Sequence, residues 1–393
     1  ANTAPETLDL ALLAMDDAPG SLSEALFSGE AALKFRFRYE EVDQDPNPDN
    51  AHAATLRTEL TYKTLAYEGF SGLVQFEHTS ILGDDAFNDG TGSSTRPAVV
   101  DPKGADLNQA FINYDLGDHG LVRLGRQEVV LDNARFIGNV GWRQNHQSYD
   151  GITYHGGESL PFGMAYGYVE NVNRIFGDAA ANGDLRTAAH MLNISKDFEN
   201  IGKATAYLYA LDIDAAPALS TMTMGARLAG DLEVSDDFVM DYLVEFATQD
   251  DYGDNAMTSY SADYYRVELG GDVGGFQLGL GQELLGSDGG AAGFSTPLAT
   301  LHAHNGWADQ FLGTPADGLE DTFFRVATKV NEVGLMAVFH DYAADNGGAD
   351  YGTELDFSAK YKLNANMTCG LKYADYSADT WKTDTNKVWF WLT

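Results

Sequence analysis

A single cysteine, Cys369, rules out an internal disulfide. It stands in the run Met367, Thr368, Cys369, Gly370, Leu371, where a small buried or lipid-facing residue is the plain reading. Basic residues are also few: 24 Lys and Arg against 59 Asp and Glu leave a net charge of -35. That acidity repels phosphate and excludes nucleic acid as a partner. No apolar run reaches the roughly 18 residues of a membrane helix. The chain also lacks a glycine-rich nucleotide loop, a helical His pair at metal spacing and a nucleophile elbow, and no two carboxylates stand out as a catalytic pair. Enzymatic activity is therefore not expected, and no cofactor is required. With no linker or low-complexity tract, the 393 residues read as one large domain.

What the chain has is alternation. In Lys34, Phe35, Arg36, Phe37, Arg38, Tyr39, Glu40, an extended strand puts the aromatics on one face and the charges on the other. A soluble sandwich would bury the aromatic face, whereas a membrane barrel turns it to lipid and the charges to a water-filled lumen. With 42 Gly, 20 Tyr and 21 Phe against 10 Pro, strands and tight turns are favoured over helices. Helical stretches are expected only around Leu8 to Met15 and Ser21 to Phe27.

Strand-like segments recur at 30–42, 53–66, 70–82, 106–116, 119–128, 147–157, 161–172, 186–197, 201–213, 219–231, 236–249, 257–270, 275–287, 320–331, 333–344, 352–363, 366–377 and 384–393. That makes about 18, an even number, with short turns alternating with long polar loops as in outer-membrane barrels. The expected fold is an all-β transmembrane antiparallel barrel over residues 29–393, with short periplasmic turns and long extracellular loops. Residues 1–28 are expected to form a periplasmic or plug segment. Aromatics near segment ends, such as Tyr62 and Tyr67, Tyr264 and Tyr265, or Trp389 and Trp391, suit interfacial girdles. The opening Ala1-Asn2-Thr3-Ala4 fits a mature exported protein of a Gram-negative outer membrane.

Several motifs carry a family likeness: Arg36-Phe37-Arg38-Tyr39-Glu40, Thr55-Leu56-Arg57-Thr58-Glu59-Leu60, Gly125-Arg126-Gln127, Arg135-Phe136-Ile137-Gly138, Gly141-Trp142-Arg143-Gln144-Asn145 and Asp150-Gly151. A late loop runs from His302 through Gly306-Trp307-Ala308-Asp309 to Gly318-Leu319. On these residues the chain resembles the alginate-export porin family, and its marine-type members more than the alginate secretion channel itself. The resemblance implies an 18-stranded barrel.

If the aromatic faces meet lipid, the lumen receives Lys34, Arg36, Arg38, Arg57, Glu59, Arg123, Arg266, Glu268, Arg325 and Lys360. Two readings of this lining stay open: an anion-selective ladder, or cross-strand pairs that hold the wall. The 129–146 connection is too apolar for a loop in water, and its Asp132, Arg135, Trp142 and Arg143 make it the expected constriction unless it folds over the rim. His302 and His304 share a spacing but no third ligand. Asp43, Asp45, Asn47 and Asp49 resemble the start of a calcium loop, without the glycine and distal glutamate of an EF-hand. Ca2+ is the ion such a run would take; otherwise such acids attract divalent ions loosely, including those that bridge lipopolysaccharide. The expected function is passive passage of small hydrophilic solutes through a porin. The alternative is a channel for acidic polysaccharide or other anionic solutes. Outer-membrane lipid and lipopolysaccharide are the expected surroundings, and a monomer is expected in preference to a trimer.

Overall fold

The computed structural model describes residues 19–393 apart from 93, 236, 237 and 258. The helix expected at Leu8 to Met15, and most of the 1–28 segment, lie outside the described residues. The first described element is a short helix, α1 (Leu22–Phe27), whose N-cap Ser21 side chain accepts from the Glu24 amide.

The wall begins with β1 (Glu30–Gln44), β2 (Ala51–Lys63), β3 (Phe70–Ile81), β4 (Gly104–Asp115), β5 (Gly120–Gln127) and β6 (Ser148–Gly156). It continues with β7 (Gly163–Asn173), β8 (Asp184–Phe198), β9 (Gly202–Ile213), β10 (Thr221–Ser235), β11 (Phe238–Asp251) and β12 (Ser261–Val273). The last six are β13 (Phe276–Leu285), β14 (Leu319–Val330), β15 (Val333–Ala343), β16 (Asp350–Asn364), β17 (Met367–Ala378) and β18 (Thr385–Leu392). Each strand pairs antiparallel with its chain neighbour, and β1 closes on β18 from Phe37 opposite Leu392 to Gln44 opposite Thr385. The observed ends differ from the sequence reading by no more than four residues.

Alternation works as the period of 2 requires. On β2 the inward Arg57 and Glu59 are buried while Leu60 stays exposed outside, and on β3 Gln75 and Glu77 are inside while Val74 and Phe76 face out. Short connections lie at the end where β1 begins and β18 ends, and long ones lie at the other. One short connection shows the chemistry: Glu68 and Gly69 both take positive φ, 50° and 84°, which is the two-residue hairpin turn that matches strand twist.

Three aromatic assignments require correction. Tyr264 and Trp389 are fully buried inside the barrel, and Trp391 shares the inward parity of Trp389. Their neighbours Val388 and Phe390 take the lipid face instead. The apolar core therefore lies within the barrel, where two long loops fold inward against the wall.

Candidate functional site

The loop between β5 and β6, residues 128–147, enters the lumen. Its apolar residues cannot remain in water, and the inner wall of β9 and β12 receives them. Phe136 packs 5.3 Å from Tyr207 and 5.2 Å from Tyr264, ring centre to ring centre, and Phe294 joins at 6.0 Å. The backbone is wound tightly: Leu131 donates to the Ile137 carbonyl at 3.1 Å, and Asp132, Ala134 and Val140 hold positive φ. Non-glycine residues in that region persist where the surroundings hold them.

The loop between β13 and β14, residues 286–318, enters from the opposite wall, and the two meet. Gly138 donates to the Leu298 carbonyl at 2.9 Å, Thr300 to the Ala134 carbonyl at 3.0 Å, and Val140 to the Thr300 hydroxyl at 3.1 Å. The approach is close enough that a Cβ on Gly138 would lie 2.2 Å from Thr300 Oγ1. Together they form a waist across the barrel.

Wall side chains fasten this waist. On β1, Arg36 donates to the carbonyls of Gly141 (3.0 Å), Trp142 (2.6 Å) and Arg143 (2.6 Å) and to Gln144 Oε1 (3.1 Å). Arg38 donates to the Trp142 carbonyl and to Asp101, and lies 3.4 Å from Glu40. Arg143 of the first loop bridges Glu40 on β1 and Asp309 of the second loop, 3.1 Å from each. Across the lumen, Arg135 pairs with Glu283 at 2.8 Å and donates to Asn305 at 3.0 Å. Asp132 accepts from Asn193 of β8 at 2.7 Å. The second loop docks by backbone: Ala308 donates to Glu354 at 2.7 Å and Trp307 to Asp356 at 3.2 Å.

Trp142 forms the centre. It stacks on His302 at 4.4 Å and meets the edges of Trp389 and Trp391 at 6.0 and 5.8 Å. Lys372 stands between it and Trp307, 4.1 and 4.0 Å from the two rings. His302 and His304 do not converge on a metal site. His302 Nδ1 faces Asp309 at 2.8 Å, its Nε2 faces the Lys372 ammonium at 3.2 Å, and His304 lies beside Arg266.

Burial holds the His302 imidazole neutral and pushes its pKa down to about 3, with Asp309 opposing and Lys372 adding to the shift. His304 is depressed in the same direction by burial, Arg135 and Arg266. His146 goes the other way. Burial alone would lower it, but Glu77 and Glu128, each 2.9 Å from Nδ1, outweigh burial and Arg57 and raise it to about 9.

Of the remaining residues read from sequence, Arg57 lies 3.6 Å from Glu59 and 3.8 Å from Glu77. Arg123 donates to Asn113 and covers the Phe111 ring at 4.0 Å. Arg266 bridges Glu268 and Glu283, and Arg325 reaches Glu268 at 4.0 Å. Lys34 and Lys360 share the inward parity of Arg36 and Asp356 and make no ion pair among the described residues. Asp43, Asp45, Asn47 and Asp49 are not gathered: Asn47 is held by the Gln44 carbonyl and Asp49 faces Arg96 at 3.7 Å. Among the described residues no group of three or more His, Cys, Asp or Glu is placed to hold a metal ion. Alternation also points to Glu283, Asp321 and Glu354 as inward carboxylates, a signal in the sequence that the basic side chains overshadowed.

Residues 31–270 match the model of the family described as alginate export, so the late His302 to Leu319 motif falls outside the matched span. Among solved structures, Pseudomonas aeruginosa OccK9 (OpdG) is similar with a TM-score of 0.72 and 14% identity, over 94% of this chain and 98% of that one. Acinetobacter baumannii OccAB4 is similar with a TM-score of 0.70 and 14% identity, over 93% and 97%. Pseudomonas aeruginosa OccK3 (OpdO) has a TM-score of 0.72 at 11% identity, over 94% and 96%. No curated relative matches the sequence.

Proposed function

This chain belongs to the alginate export family, and from that membership we propose that it is an outer-membrane porin through which small hydrophilic solutes diffuse passively. The observation that carries the reading is the sidedness of a closed wall. Outside, Phe35, Leu60, Phe76, Ile112, Leu124 and Phe246 face lipid, while the inner face carries Arg, Glu, Gln and Asn. A tube of that kind needs no catalytic group. The joined loops set its width.

Reconstituted into liposomes, the protein should admit arabinose-sized solutes and exclude larger oligosaccharides in a swelling assay. Liposomes that swell no faster than protein-free controls would refute the reading. A channel for acidic polysaccharide has one observation in its favour, Lys34 and Lys360, which are inward by parity and have no ion pair among the described residues. Against it, Arg36, Arg38 and Arg57 are already engaged by loop carbonyls, the loop carboxylate of Asp101 and the wall carboxylates of Glu40 and Glu77. Block of the ionic current by uronate oligomers, absent with neutral oligosaccharides of equal length, would favour that second reading.

A further inference from the structure

Helix α1 hangs on the outside of the barrel, not in its mouth. One phenol fixes it there: Tyr62 donates to the Leu26 carbonyl at 2.8 Å and accepts from the Gly29 amide at 3.0 Å. A third bond runs from the Leu65 amide to the Ala25 carbonyl at 3.1 Å. Tyr62 belongs to the lipid face, because it alternates with the inward Thr61 and stands in register with Ala31 and the outward Val74. Phe70 and Tyr114, stacked at 4.5 Å, lie on the same outer face at the same short-turn end of the barrel.

The helix has its own sidedness. Ala25 is buried against the wall, while Leu22, Leu26 and Phe27 are 56%, 44% and 84% exposed. At about 100° per residue these three sweep an arc of roughly 140° that takes in the exposed Ser23 and leaves out both Ala25 and Glu24. Glu24 turns back toward the chain and accepts from the Gly20 amide at 2.7 Å. Three large apolar side chains on six residues would be left unburied in periplasmic water. The helix that carries them is bonded to Tyr62, an outward residue at the short-turn end of the wall.

We propose that α1 is an interfacial anchor whose Leu22, Leu26 and Phe27 enter the phospholipid leaflet on the periplasmic side of the outer membrane. The proposal rests on the outer-membrane reading above. The occupant of this face is acyl chain, since the helix is fastened by the outward Tyr62 at the end of the wall where Phe70 and Tyr114 also face lipid. The anchor fixes the depth at which the chain enters β1.

Site-directed spin labelling of the full chain in phosphatidylethanolamine and phosphatidylglycerol vesicles tests it. In a Cys369→Ser background, Phe27→Cys carries the nitroxide, Val74→Cys serves as the lipid-facing reference and Asp84→Cys as the aqueous one. The label at 27 should collide with oxygen over a water-soluble nickel chelate in a ratio close to that at 74 and several-fold above that at 84. A ratio matching position 84 would overturn the proposal by placing the helix in water. A label reached by neither agent would overturn it too, because protein then covers the face. Should position 74 itself read as aqueous, the outer-membrane reading fails before the helix is judged. Leu22→Cys repeats the measurement if Phe27→Cys does not give the heat-resistant folded form.

Discussion

At the scale of single residues, the waist depends on side chains that act by holding backbone. Trp142 fills the space between His302, Trp389, Trp391 and Lys372. Losing a large, fully buried aromatic costs about 3 to 5 kcal/mol; Trp142 is partly buried, so the docked loop bears less than that, and Trp142→Ala should make single-channel current noisy while the barrel still migrates as folded. Arg36 is engaged with four loop acceptors, so Arg36→Ser should raise mean conductance and not merely shift ion selectivity. A changed reversal potential at unchanged conductance would contradict that role. His302 and His304 give a pH dependence with a definite sign. A histidine whose pKa falls on docking takes up a proton when released, so docking is fully favoured above the ordinary value of 6.5 and weakens as pH falls below it toward about 3. Asp309, held well below its ordinary 3.8 although burial opposes this, adds its own loss only below that value. Current noise should therefore grow between pH 6.5 and 4, and His302→Phe, which keeps a ring on Trp142, should show less of that growth. Noise that stays flat across this window would argue against the docked geometry.

At the scale of elements, the strands and the inward loops differ in how much their sequences reveal. A strand declares its two faces by local alternation, which is why the sequence alone points Arg57, Glu59, Arg266 and Glu268 inward. The 128–147 loop could be read as buried because Phe136 and Ile137 need cover. Its partner could not, because the joint uses backbone groups of Gly138, Leu298 and Thr300, roughly 160 residues apart, and a main-chain amide leaves no mark on composition. Trp389 and Trp391 misled for a related reason: a terminal aromatic cluster fits a lipid girdle equally well until the inward loop supplies Trp142 to pack against. The joint gives a direct test. Gly138→Val sets side-chain carbon where Thr300 Oγ1 stands, so the two loops should part, conductance should rise and the loop should become open to protease. The Ile137→Cys, Leu298→Cys pair in a Cys369→Ser background should cross-link on mild oxidation, since these residues form a parallel bridge. Failure to cross-link in the folded protein would place the loops apart.

For the whole molecule, one chain makes both a wall and the joined loops proposed to restrict it, and the two draw on separate interactions. Wall closure rests on strand pairing from β1 through β18, whereas the waist rests on Arg36, Arg38, Arg135 and Arg143 and on the Trp142 stack. Removing part of the waist should consequently leave the barrel intact. Planar-bilayer recording of the unmodified protein beside a variant lacking residues 135–140 puts this most directly. A steady, ohmic open current in the first, a larger one in the second, and the same heat-resistant migration in both are expected. An unmodified protein without conductance, or a deletion that leaves the current unchanged, would contradict a porin whose width is set by its joined loops.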